Sequence, residues 1–170
     1  NTLMPAFFNQ SNNSDPVSKK RSEQEIHAIV YYLFDNSAPF ETKKIPVTGD
    51  AKKGEELISS IGCFACHQVL PEPTLDKSTV DSVRRRYGPN LIGIGSKTSA
   101  VWLYNWLKDP NRYHPQTSMP NMRLTDQEAA DITSYLLQNK NNHFDQSVIP
   151  AIDANILNDI VLGFLKRSET

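Results

Sequence analysis

Cysteine is nearly absent: two residues in a chain of 170, both inside one pentapeptide, Cys63-Phe-Ala-Cys66-His67. Two thiols so close together cannot staple distant segments, which excludes a disulfide framework and assigns the pair to a local chemistry. Glycine is also scarce, 7 residues against 11 prolines, so the chain reads as globular with stiff connections rather than low-complexity. Neither sign of charge is in excess: 18 Lys and Arg against 19 Asp and Glu leave a net charge of −1, giving no field to hold nucleic acid. The one dense basic run, Arg84-Arg85-Arg86, is too short for a nucleic-acid arm. No apolar run approaches the roughly 18 residues of a membrane-spanning helix, because Lys, Asp, Glu or Pro interrupts every candidate. The opening Asn-Thr-Leu-Met carries no basic stretch followed by an apolar one, so a processed or excised piece is expected. The length suits one domain with extensions better than two domains.

What is present is the punctuation of helices. Ser22-Glu-Gln-Glu25 fits a capping box, with Ile26, Ile29, Val30 and Leu33 following on one face, and predicts a helix over 22–35. Residues 36–49, with Pro39, Pro46 and Gly49, read as a linker. A helix from Asp50 to Gly62 presents Leu57, Ile58 and Ile61 on one side and delivers Cys63 at its end. Residues 68–98 are loop-rich, with a short helix expected over Ser78–Arg86. Ser99 to Lys108 forms the next helix, stopped by Asp109-Pro110, with Trp102, Leu103, Trp106 and Leu107 on one side. Residues 111–123 should be extended loop. Thr125-Asp-Gln-Glu128 is a second capping box, opening a helix to about Gln138, and Asp153 to Leu165 predicts an amphipathic tail helix. Nothing demands a strand, so the class is all-α.

A partial internal repeat sets Ser22–Leu33 against Thr125–Leu136, matching at Gln, Glu, Ile, Tyr and Leu, with Met4-Pro5 and Met119-Pro120 preceding the two copies. No Cys-x-x-Cys-His precedes the first copy. Residues 1–36 therefore read as the tail of an earlier domain that lacks the pentapeptide and whatever it binds, 37–49 as a linker, 50–142 as the domain that bears it, and 143–170 as an amphipathic extension or interdomain segment.

Cys63-x-x-Cys66-His67 has the spacing of a c-type haem attachment site: two thiols add across the porphyrin vinyl groups as thioethers, and the adjacent histidine lies under the iron. The rivals are a thioredoxin-like redox pair, which wants its first Cys at a helix start in a βαβ context, and half a zinc site, for which His27, His114 and His143 are too scattered. Beyond the pentapeptide, Gly54 with Ile58, Gly88-Pro-Asn-Leu91, Trp102-Leu with Trp106-Leu and Pro110, and Met119-Pro-Asn-Met-Arg-Leu124 leading to Tyr135-Leu136 stand in the order of the class I cytochrome c family, which the chain resembles over about residues 50–138.

The resemblance implies a class I cytochrome c fold around one covalent haem c, with extra helical segments at both ends. It implies His67 and Met119 as axial iron ligands, with Met122 or a bis-histidine site through His114 as competitors. It implies that the Pro89 carbonyl accepts a hydrogen bond from His67, that Gly54 meets Tyr135 where the N- and C-terminal helices cross, and that Leu91, Trp102, Leu103 and Trp106 wall the porphyrin. Arg84–Arg86 would reach the propionates or lie on a solvated face. The implied function is electron transfer between redox protein partners, by a domain that is not itself an enzyme, in the periplasm or another extracytoplasmic space. Two rivals stand beside it: a haem-c entry module of a larger oxidase, dehydrogenase or nitrite reductase, flanked by further domains of a longer chain, and a sensor or peroxidase-like domain with an open iron position.

Overall fold

A computed structural model describes residues 7–8, 10–71 and 87–168. Among these residues every regular element is helical: α1 Pro16–Asp35, α2 Ala51–Ile61, α3 Ala100–Lys108, α4 Pro110–Tyr113, α5 Asp126–Gln138, α6 Asn142–Asp145 and α7 Ala154–Ser168, with short 3₁₀ turns at Ser11–Asn13, Cys63–Ala65 and Ile94–Ser96. The expected Ser78–Arg86 helix lies outside the described residues. The chain divides into two compact units, residues 1–40 with 148–170, and residues 41–147.

The second unit is built on α2 crossing α5, with α3 closing the other side of α5. Each helix is bounded by local chemistry. Asp50 accepts hydrogen bonds from the Lys52 and Lys53 amides (2.9 and 3.4 Å) at the start of α2, and Gly62 ends it in the left-handed region at φ 92°. Ser99 caps α3, and Thr125 and Glu128 cap one another's amides at the start of α5. The core is Ile58 of α2, Leu103, Tyr104 and Leu107 of α3, and Ala129, Ala130, Ile132 and Leu136 of α5, closed by Val69 and Leu124.

Where α2 meets α5 the backbones nearly touch. A Cβ built on Gly54 would overlap the Asp131 carbonyl and lie 2.9 Å from Tyr135 Cβ, so only glycine admits the crossing. Asp131, itself buried, accepts the Asp50 amide at 2.7 Å and locks the register of the pair. Gly54→Ala should therefore destabilise this unit by about 1–3 kcal/mol, the usual cost of forcing extra volume into a packed contact. Guanidinium unfolding followed by helical circular dichroism measures it, and an unchanged midpoint would refute the crossing.

Several boundaries differ from the sequence expectations. Helix α1 begins six residues before Ser22, because Asp15 takes the N-cap, accepting the Val17 and Ser18 amides at 3.0 Å, and Pro16 pre-sets the first turn; Ser22 is buried within the helix. Pro110 stops α3 but opens α4, so the loop expected over 111–123 starts with a helical turn. The expected linker over 37–49 is only partly one, since the Lys43 amide and carbonyl both bond the buried Asn105 side chain (2.9 and 2.8 Å) and Ile45 packs on the core. At the other end, α6 stays with the second unit, its Asp145 accepting the Ser96 hydroxyl at 2.9 Å.

In the first unit α1 packs on α7. Gln24 donates to the Ala151 carbonyl (3.0 Å) and accepts the Asp153 amide (2.9 Å), and Asp153 then caps α7. In the second unit Gln127 donates to Thr48, two residues before the cap Asp50, at 2.9 Å. These glutamines occupy the same place in the internal repeat, and each donates to the carbonyl two residues before the cap of a partner helix; the cap amide goes to Gln24 itself in the first unit and to Asp131 in the second.

Candidate functional site

Gly62 turns the chain out of α2 into the 3₁₀ turn Cys63–Ala65, where the Cys66 and His67 amides both donate to the Cys63 carbonyl (3.2 and 2.9 Å). Two thiols and an imidazole are thereby gathered in one turn of chain. The following strip runs beside the segment from Gly88: the Gly88 amide donates to the Cys66 carbonyl (2.9 Å) and the Leu91 amide to the Gln68 carbonyl (2.8 Å). Asn139, just beyond α5, holds this layer from below, donating to the Val69 carbonyl at 2.8 Å and accepting the Gly93 amide at 2.9 Å. Its role was not readable in the sequence, although a polar amide just after a helix end is the available signal.

His67 is oriented by two contacts. Its Nδ1 lies 2.8 Å from the Pro89 carbonyl oxygen. A carbonyl only accepts, so Nδ1 carries the proton and donates, which leaves the Nε2 lone pair for a metal. Gly88 lies flat on the same ring: a Cβ there would stand 2.6 Å from His67 Nδ1 and 2.9 Å from Nε2. The glycine of Gly88-Pro89 is thus a steric requirement of the imidazole.

Met119 sits in the loop between α4 and α5, half-buried against the core. Its amide donates to Thr117 Oγ1 (3.2 Å), and its sulfur accepts the Trp106 indole N–H at 3.0 Å. Trp106 stacks on Trp102, centroids 5.5 Å apart at 14°, and Tyr113 of α4 tilts against both rings. The end of the loop is tied to α3: Lys108 donates to the Leu124 carbonyl (2.6 Å) and pairs with Asp126 (2.9 Å), which also accepts the Tyr104 hydroxyl (2.8 Å). Those two hydrogen bonds, the Lys108 one foremost, hold the Asp126 carboxyl below its ordinary pKa, while burial and the bond to Asp126 push Tyr104 up to about 12.

The competitors of Met119 are placed otherwise. Met122 is exposed, in a turn where Arg123 adopts φ 54° and its amide bonds Asn121 Oδ1. His114 is exposed and accepts the Gln116 amide on Nδ1 at 3.3 Å. Of the expected porphyrin wall, Trp102 is exposed and Leu91 and Trp106 are half-buried, whereas Leu103 is 4% exposed within the α2–α5 core. Arg84–Arg86 lie outside the described residues.

Cys63 does not have the electrostatics of the attacking thiol of a redox pair. Burial pushes the Cys63 thiol above its ordinary value, and repulsion from Cys66 adds to this, whereas a reactive dithiol needs a depressed pKa. Among the described residues no group of three or more His, Cys, Asp or Glu side chains is placed to hold a metal ion, which removes the zinc reading there. The donors present fit a c-type haem: two thiols for its vinyl groups, an imidazole whose remaining lone pair is free, a soft thioether, and a glycine surface that leaves the imidazole room. When bound, such a haem supplies an iron that holds and releases one electron.

Comparison with curated proteins and comparison with solved structures each return no match. The Cytochrome c family does match, over residues 51–140, from the first residue of α2 to just past α5. That span contains the attachment turn, the Gly88-Pro89 shelf and the methionine loop, and its helices follow the class I arrangement; the chain belongs to the cytochrome c family and carries a covalently bound c-type haem with its iron.

Proposed function

We propose that this chain is an electron-transfer domain, not itself an enzyme, that works outside the cytoplasm with one haem ligated by His67 and Met119. The observation that carries the reading is the pairing of two prepared donors: an imidazole whose Nδ1 is committed to Pro89, and a half-buried thioether fixed by Trp106 and Thr117. Held by His67 and Met119 together, the iron would offer no open position to a substrate. A neutral sulfur donor favours the reduced state, and the rigid loop need not exchange a ligand as the electron comes and goes. Thioether attachment uses thiols delivered by export, which supports the extracytoplasmic assignment. No helix among the described residues is long and apolar enough to cross a membrane.

A second reading, the haem module of a larger redox assembly, is favoured by the repeat. Ile132, Thr133 and Leu136 of α5 are 1%, 2% and 3% exposed, whereas their counterparts Ile29, Val30 and Leu33 of α1 are 48%, 46% and 59% exposed. Helix α1 thus carries the pattern of a cytochrome c terminal helix, with the matching face exposed among the described residues. This supports residues 1–36, with the α7 segment 148–170 that shares their unit, as pieces of flanking domains that bind no haem of their own.

One titration tests both parts. The whole chain, and residues 41–147 alone, should each take up a single electron reversibly at one shared midpoint potential, without binding carbon monoxide in the reduced state. Carbon monoxide binding would show an open iron position and reject the carrier reading. A shifted midpoint or failure of residues 41–147 to load haem would make the outer segments part of the haem domain.

A further inference from the structure

We infer that Lys108 is a positioning residue for Met119: with Asp126 and Tyr104 it latches the far end of the methionine loop to α3, and so sets how readily an outside ligand takes the place of the sulfur on the iron. The inference rests on Met119 being an axial ligand.

The loop does little to hold its own end. Its Met119 and Arg123 amides each bond a side chain only two residues back, Thr117 at 3.2 Å and Asn121 at 2.9 Å. Between Met119 and α5 the chain also passes through Arg123 at φ 54°, a left-handed conformation that disfavours any residue with a Cβ and persists only where the surroundings impose it. The next residue, Leu124, is where they do so. Its side chain is buried in the core, and its carbonyl accepts the Lys108 ammonium at 2.6 Å, across 16 residues of sequence.

The same ammonium pairs at 2.9 Å with Asp126, the first residue of α5, and that carboxylate also accepts the hydroxyl of the buried Tyr104 at 2.8 Å. Tyr104 and Lys108 stand four residues apart on one face of α3, so a single rigid helix presents both donors. As a plain ion pair, between side chains 32% and 53% exposed, Lys108–Asp126 would contribute little. Its consequence comes from its place: Asp126 and Tyr104 hold the ammonium over the carbonyl at which the loop becomes helix. Without that charge-assisted bond the Arg123 turn is free to relax, and Met119, five residues before Leu124, moves with it. An outside ligand binds only while the sulfur is off the iron, so its apparent affinity is reduced by the fraction of time that the position stands open. The latch keeps that fraction small.

The test titrates the oxidised, haem-loaded whole chain with imidazole and follows loss of the red-edge charge-transfer band of sulfur-ligated ferric haem. Lys108→Met keeps the stem and removes the ammonium. It should retain the band before imidazole is added, and bind imidazole about tenfold more tightly than wild type, the order of one charge-assisted hydrogen bond. Lys108→Arg, which can still bridge carbonyl and carboxylate, should reverse most of the change. Gly54→Ala strains the α2–α5 crossing instead of the loop, and should lower stability while leaving imidazole affinity unchanged. Where Lys108→Met loads haem poorly, Asp126→Asn takes its place, since it removes the charge that holds the ammonium and leaves the Thr125–Glu128 cap; it should tighten imidazole by about threefold, the order of one exposed ion pair. Unchanged imidazole binding in these latch variants, or an equal gain in Gly54→Ala, makes Lys108 a general stabiliser and overturns the inference while leaving Met119 as ligand. A wild-type protein without the red-edge band overturns the ligand assignment itself, and this inference with it.

Discussion

Replacing Cys63 and Cys66 together by serine should reduce covalent haem from one per chain to none. Only a thiol adds across a porphyrin vinyl group under attachment conditions; a hydroxyl does not, and the chain has no other cysteine to substitute. Wild-type protein denatured in acid should carry the added mass of one haem and show the pyridine haemochrome of a double thioether. Either single serine variant should show the shifted spectrum of one remaining vinyl group. The loss should extend to stability, because Leu91, Trp106 and Met119 are only partly covered by protein. Covering the remaining exposed part of these three side chains is worth on the order of 2–4 kcal/mol, a large share of the whole margin of a small domain, about 5–15 kcal/mol. The double variant should therefore unfold at much lower denaturant than the holoprotein. Haem of the double variant that stays with the denatured chain would refute attachment at this turn.

Met119→Ala should abolish the red-edge band and lower the potential by on the order of 0.1–0.3 V, part of the roughly 0.8 V that axial ligation spans. A thioether is a soft ligand that favours reduced iron, and what would replace it, water or a nitrogen donor, favours the oxidised state. The neighbours supply the control. Met122→Ala and His114→Ala alter exposed side chains and should leave both band and potential unchanged. Loss of the band on replacing Met122 instead would move the ligand three residues along the loop.

The attachment turn is legible in the sequence because its chemistry is local: two thiols and an imidazole must reach one macrocycle from one turn of chain, so Cys63, Cys66 and His67 are confined to five consecutive residues. The frames of α2, α3 and α5 are legible for the same reason, since a cap such as Asp50, Ser99 or Thr125-Glu128 satisfies amides two or three residues away. Local signals are also degenerate. Ser22-Glu25 has the composition of a capping box, yet Asp15-Pro16 takes the cap, and nothing within four residues of Ser22 distinguishes the two. Which face of a helix is covered is not a local property at all. Ile29 and Ile132 occupy matching positions of one repeat, and only the presence of α2 and α3 around α5 buries the second. The pairings that tune the site depend on the fold in the same way. The Pro89 carbonyl meets His67 across 22 residues and the Trp106 N–H meets Met119 across 13. Those distances in sequence are closed by Gly54 admitting α5, by the hydrogen bonds from Gly88 to Cys66 and from Leu91 to Gln68, and by Lys108 tying the methionine loop to α3. Residue type and spacing determined which cofactor this chain holds; the direction in which each lone pair and N–H points was decided by tertiary packing, because a hydrogen bond's strength depends on angles and distances that only the assembled core imposes.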